Sequence, residues 1–161
     1  MKIENDIRWP FYSAYHEDRY IEHHGTRRNV SLREKREKSK YILRNDSEKD
    51  LVIYRIDGGI ITSKETKKCD YGVYTEQDVL YLIELKGGDY SQALDQITST
   101  IDTLLKKPAI SVKQLNVRVV LSKYRTPDYP LTQEKKLNIL LKTKYGKGNI
   151  RKQVKLLKER I

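Results

Sequence analysis

The 161-residue chain predicts a single mixed α/β domain, and three features of the sequence predict it. Short apolar, β-branched runs that stop at glycine pairs fill its centre, a stretch of helical periodicity follows them, and one more apolar run follows the helix. Strands that alternate with a helix in this way build a mixed sheet covered on its faces, a three-layer arrangement.

The first thirty residues are polar and tyrosine-rich (Tyr12, Tyr15, Tyr20), and helical spacing between Phe11 and Ile21 predicts a helix there, with a break at Gly25. Ser31 followed three residues later by Glu34 has the form of a capping box, so a charged helix is predicted over residues 32–43. Residues 51–56 form the first apolar run and end at Asp57-Gly58-Gly59; residues 69–74 and 79–86 form the next two, the last ending at Gly87-Gly88. Short intervals and glycine punctuation make these an antiparallel meander. Leu94, Ile97, Ile101, Leu104 and Leu105 then mark one face of a helix over residues 90–106, stopped by Pro108. Residues 117–121 are a fourth strand, parallel to the third because a whole helix separates the two. Leu137, Leu140 and Leu141 mark a further helix that ends near Gly146. Ile150, Val154, Leu157 and Ile161 recur at helical steps behind Asn149, a candidate N-cap, and complete a basic helical tail over about residues 131–161.

Composition bounds the function. Apolar residues make up 37%, enough for one modest core, and no run of about 18 apolar residues exists to span a membrane. The first nine residues mix charges with single apolar side chains and do not resemble a secretory leader. The lone Cys69 has no partner for an internal disulfide, so a reducing, cytoplasmic setting is expected. Lys and Arg exceed Asp and Glu by 33 to 22, a net charge of +11 that draws polyanions, nucleic acid first among them. Residues 132–161 hold ten Lys or Arg against two Glu, either as a phosphate-facing surface or as the solvated side of packing helices.

The chemistry concentrates around Asp70 and the run Val79 to Gly88. Side chains alternate along a strand, so Glu84 and Lys86 fall on one face about 7 Å apart, at the rim of a strand that is otherwise apolar on both faces. Charges set there cost free energy unless something compensates them. A divalent cation does so: Mg²⁺ takes one or two carboxylates and keeps waters or phosphate oxygens for the rest. With Asp70 on the neighbouring strand, its carboxylate comes beside that of Glu84, and the main-chain carbonyl of Leu85 offers another oxygen. Lys86 then stands where an ammonium orients or deprotonates an attacking water and offsets developing negative charge.

Asp70, a dozen residues, then Glu84-Leu85-Lys86 closing an apolar strand resembles the core motif of the PD-(D/E)xK nuclease superfamily, the restriction-endonuclease-like fold that includes Holliday junction resolvases. The helix, three-strand meander, helix and strand read above are similar to that family's αβββαβ core, here over about residues 31–121, with basic helices appended. The resemblance implies a Mg²⁺-dependent (or Mn²⁺-dependent) deoxyribonuclease in which Asp70 and Glu84 bind the metal and Lys86 serves catalysis. It also implies a further acid on the first helix, for which Glu37 is the candidate. Gln92, with Gln96 one turn on, matches a glutamine position that follows the motif in several branches. Cys69 stands where many members have proline. DNA is the expected partner, and a homodimer with two related centres would cut both strands. The rival readings are a non-catalytic basic nucleic-acid-binding module, with Glu84 and Lys86 as a rim ion pair, and an inactive subunit of a larger assembly. His23 and His24, adjacent and turned apart, make a poor metal site, and Asp57 closes a strand either as a turn residue or as an extra ligand.

Overall fold

A computed structural model describes residues 9–34, 38–86, 88–123 and 130–161, and of Lys86 the backbone alone. Along the chain run α1 (Pro10–Ala14), β1 (Ile21–Gly25), β2 (Asn29–Arg33), β3 (Lys40–Arg44), β4 (Leu51–Arg55), β5 (Tyr71–Thr75) and β6 (Val79–Lys86). Then come α2 (Tyr90–Ile101, continued by a π-helical turn over Asp102–Lys106), β7 (Gln114–Leu121), α3 (Leu131–Lys144), β8 (Ile150–Val154) and β9 (Leu156–Arg160).

The central apolar runs form the elements the sequence predicts. β4, β5 and β6 are an antiparallel meander, α2 crosses over, and β7 lies parallel to β6. They belong to a mixed six-stranded sheet in the order β1-β4-β5-β6-β7-β8. One face is covered by helices: Leu94, Ile97 and Ile101 of α2 and Leu137 and Leu141 of α3 pack in one core with Leu80, Leu82, Val117 and Val119. The other face is covered by a second, three-stranded sheet in the order β2-β3-β9, whose Val30, Leu32, Tyr41, Leu43 and Leu157 pack with Ile53, Val73, Tyr81, Ile83 and Val120. No helix among the described residues is long and apolar enough to cross a membrane.

Three expected helices are not formed. The helix expected over residues 32–43 is instead the β2–β3 hairpin, in which Ser31 lies mid-strand opposite Ile42 and caps nothing. Exposure alternates strictly along β2, and Val30, Leu32, Tyr41 and Leu43 are the buried set. A period of two, not the capping signature, is what the apolar residues obey. The second tail helix is absent: residues 150–160 form β8 and β9, parallel to β7 and β3. Lys155 breaks the run at φ 69°, and Asn149, not an N-cap, gives its carbonyl to Val117 N–H. Unpaired backbone groups on β7 and β3 are satisfied by taking in this segment, which outweighs its helical spacing. Residues 11–21 hold only the short α1 and a 3₁₀ turn before Ile21 joins β1, antiparallel to β4. The appended tail is therefore one basic helix and two strands.

The connection from α3 to β8 needs its glycines. Gly146 adopts φ +65°, and a Cβ there would lie 1.9 Å from the carbonyl oxygen of Lys113. At Gly148 the corresponding contact, to Leu115 O, would be 1.6 Å.

The two sheets are joined by a buried ion pair. Arg118 of β7 donates from Nε to both carboxylate oxygens of Glu159 in β9, at 3.0 and 2.8 Å, with the two side chains 5% and 6% exposed. Removing one member of such a pair strands the other charge in the interior. Glu159→Ala is expected to cost about 3–5 kcal/mol in urea unfolding, and a loss below about 1 kcal/mol would show that the joint contributes little.

Candidate metal and catalytic centre

The meander brings two carboxyl groups together at one rim of the six-stranded sheet. Extending the β5–β6 register one step beyond Tyr71 and Ile83 sets Asp70 opposite Glu84. Alternation places both on the helix-covered face, with Tyr74 of β5 and Leu80 and Leu82 of β6. Glu84 is 1% exposed, whereas Asp70 is half-buried. The Asp70 side chain is hydrogen-bonded to that of Glu84, and its Oδ2 accepts the Leu85 N–H at 2.8 Å. An extended residue directs its N–H and C=O to the same side, so the Leu85 carbonyl faces the gap in which Asp70 sits.

Burial pushes the Asp70 carboxyl up to about 6, against the pull of its bonds to Glu84 and Leu85; the neighbouring charges of Glu34 and Asp57 push it up further. Burial thus disfavours the charged form of Asp70, and a divalent cation beside it would answer the same need. Among the described residues no three His, Cys, Asp or Glu side chains cluster closely enough to hold a metal by themselves. Two carboxylates with a carbonyl beside them nevertheless fit a hard cation such as Mg²⁺, which fills its remaining positions with water or substrate oxygens.

The surroundings fix this geometry. Cys69 is fully buried, its N–H donates to Thr100 Oγ1 at 2.9 Å, and Thr100 in turn donates to Gln96 O at 2.7 Å, which pins the start of β5 to α2. Burial, with the charge of Glu84 next, pushes the Cys69 thiol well above its ordinary range, so it acts as packing and not as a nucleophile. Asp57, just past β4, lies 3.9 Å from Lys68 Nζ and is largely exposed.

Of the residues singled out in the sequence, Asp70, Glu84 and Leu85 meet at one place, and Lys86 follows as the last residue of β6. The Lys86 side chain and the whole of Glu37 lie outside the described residues. Gln92 is exposed on α2 and lines, with Gln96, Asp95 and Lys67, a cavity of about 180 Å³. The acid that sequence reasoning passed over is Glu34. Expected as a helix cap, it instead follows β2, lies 3.6 Å from Arg55 Nη1 and is close enough for its charge to raise Asp70. Only recognition of the hairpin would have found it. His23 and His24 sit on β1 away from this centre, His24 against Asp50 at 3.6 Å.

No protein-family model, no curated protein and no solved structure matches the chain.

The raised Asp70 carboxyl has a definite consequence for stability. The folded state holds this proton more tightly than the unfolded chain, so stability from this group is full below about pH 4 and is lost as pH rises through about 6. Asp70→Asn keeps an acceptor for Leu85 N–H and removes the charge. Above about pH 7 it is expected to be more stable than the parent by about 1–2 kcal/mol, with the gap closing towards pH 4 in thermal melts. A constant gap at every pH would contradict this account.

Proposed function

We propose that the protein is a Mg²⁺-dependent deoxyribonuclease of the PD-(D/E)xK type, with Mn²⁺ as an alternative metal, that hydrolyses phosphodiester bonds in DNA. The observation that carries this reading is the meeting of Asp70 and Glu84 at the ends of adjacent strands, with Glu84 two residues before the lysine that ends β6. The meander, crossover helix and parallel strand that frame them follow the order the resemblance calls for. The helix expected ahead of the meander is replaced by strands β2 and β3, and Glu34, just past β2, is near enough for its charge to raise Asp70.

Asp70 and Glu84 would hold the cation, with the Leu85 carbonyl beside them. Bound there, Mg²⁺ supplies Lewis acidity to a phosphate oxygen and lowers the pKa of a coordinated water. Leu85 N–H fixes the direction of the Asp70 carboxylate. Lys86 orients the attacking water, or takes its proton, and offsets the charge that grows on the phosphoryl oxygens. The excess of Lys and Arg contributes affinity for the substrate backbone.

Incubation with supercoiled plasmid tests this directly. Cleavage is expected with Mg²⁺ or Mn²⁺, none in EDTA, and a loss of at least about a hundredfold in Lys86→Ala and Asp70→Ala, while circular dichroism shows the fold retained. Cutting that persists in Lys86→Ala, or none by the parent protein with either metal, would refute the proposal.

A further inference from the structure

The segments expected to be a charged helix and the last basic helix build a cationic sheet face instead. Register rows across β2, β3 and β9 are Arg33, Lys40 and Leu156; Ser31, Ile42 and Lys158; and Asn29, Arg44 and Arg160. The intervening Val30, Leu32, Tyr41, Leu43 and Leu157 are buried against the six-stranded sheet, so these nine side chains share the opposite, outward face. Five of the nine are Lys or Arg, and none is acidic. Arg44 and Arg160 are tied to Asp46, at 3.5 and 2.6 Å, whereas Arg33, Lys40 and Lys158 form no ion pair with any described residue.

This face starts at the rim that carries the candidate centre. Lys86, Leu121 and Val154 are register partners across β6, β7 and β8, and two strand spacings put Val154 roughly 10 Å from the end of β6. Lys155 turns the chain from one sheet to the other: its N–H donates to Leu121 O and its carbonyl accepts from Lys40 N–H at 2.9 Å. The row of Arg33, Lys40 and Leu156 follows immediately.

We propose that the outward face of the β2-β3-β9 sheet binds the sugar-phosphate backbone of a nucleic-acid duplex flanking the cut, without reading its sequence. Its placement beside a cut rests on the nuclease reading; the binding itself does not. The charge on the face is matched by phosphates and by no base edge. It carries no aromatic side chain on which unstacked bases of a single strand would sit. A three-stranded sheet backed by a second sheet is also too broad for the major groove, which admits a helix or a two-stranded ribbon. Contact is therefore with the backbone ridge.

The test is fluorescence anisotropy of a labelled duplex of about twenty base pairs, in EDTA, between about 50 and 200 mM salt. Arg33→Glu/Lys158→Glu is expected to bind at least about tenfold more weakly, with the slope of log affinity against log salt shallower by about 2. The charge-matched control Lys135→Glu/Lys142→Glu, on the exposed side of α3, is expected to stay within about threefold of the parent. Unchanged binding by the sheet variant, an equal loss in the α3 variant, or tighter binding of a single strand of the same length would overturn the proposal. If the double variant does not fold, Lys158→Gln decides: with a native circular dichroism spectrum, about threefold weaker binding supports the face and unchanged binding refutes it. Because binding is read without metal, failure of the plasmid assay would refute the catalytic centre and leave this face standing. Cleavage by the parent with sheet-variant binding unaltered would refute this face alone.

Discussion

The buried carboxylate of Glu159 is the point on which the two-sheet architecture turns. It accepts from Arg118 Nε, from Arg151 at 3.0 Å and from the Tyr41 hydroxyl at 2.9 Å, so it ties β7, β8 and β3 to β9. Arg118 in turn gives its Nη1 to the carbonyls of Val117 and Asn149 and to Asn149 Oδ1. Taking both charges from water is costly, and only such complete bonding offsets it. With Glu159 held inward, alternation leaves Lys158 and Arg160 no choice but to face out. One inward acid in a basic strand therefore sets both the packing of the second sheet and the sign of its outer surface.

The candidate centre obeys the opposite logic. Asp70 is held by its bond to Glu84 and by one amide, and burial raises its hold on a proton. Glu34 and Asp57 make the spot more negative still. Asp70 is thus a carboxyl group whose charged form the fold disfavours, so that added positive charge beside it would stabilise it, which is the physical content of the metal proposal.

How far the sequence could be read depended on which force sets each segment. The meander, α2 and β7 were legible because burial on both faces leaves unbroken apolar runs, and glycines mark where they stop. From that register alone Asp70 and Glu84 could be brought together. The hairpin was not legible, because Ser31 and Glu34 mimic a helix start and because Val30, Leu32, Tyr41 and Leu43 are too few to outweigh a charge-rich setting by eye. For the last twelve residues, Ile150, Val154, Leu157 and Ile161 fit a helix, yet Val154 is 40% exposed and only Leu157 is in the core. Their strand state is decided by open hydrogen-bonding edges on β7 and β3, which are remote in sequence. Glu34 was lost with the hairpin, since a residue read as a cap is not sought at a site.

On the proposed reading, the acidic pair and the basic sheet face would act in order. In the proposed nuclease, Asp70, Glu84, Glu34 and Asp57 would repel phosphate until a cation bound at the pair. Arg33, Lys40 and Lys158, on the outward face of the second sheet, would attract it irrespective of metal. Grip and chemistry would then be separable: the sheet face would hold the backbone, while Asp70 and Glu84 would hold a cation that offsets their charge toward a phosphate. As protons and cation would compete for Asp70, cation binding would be favoured as pH rises through about 6, the range in which the fold loses the stability its bound proton gives.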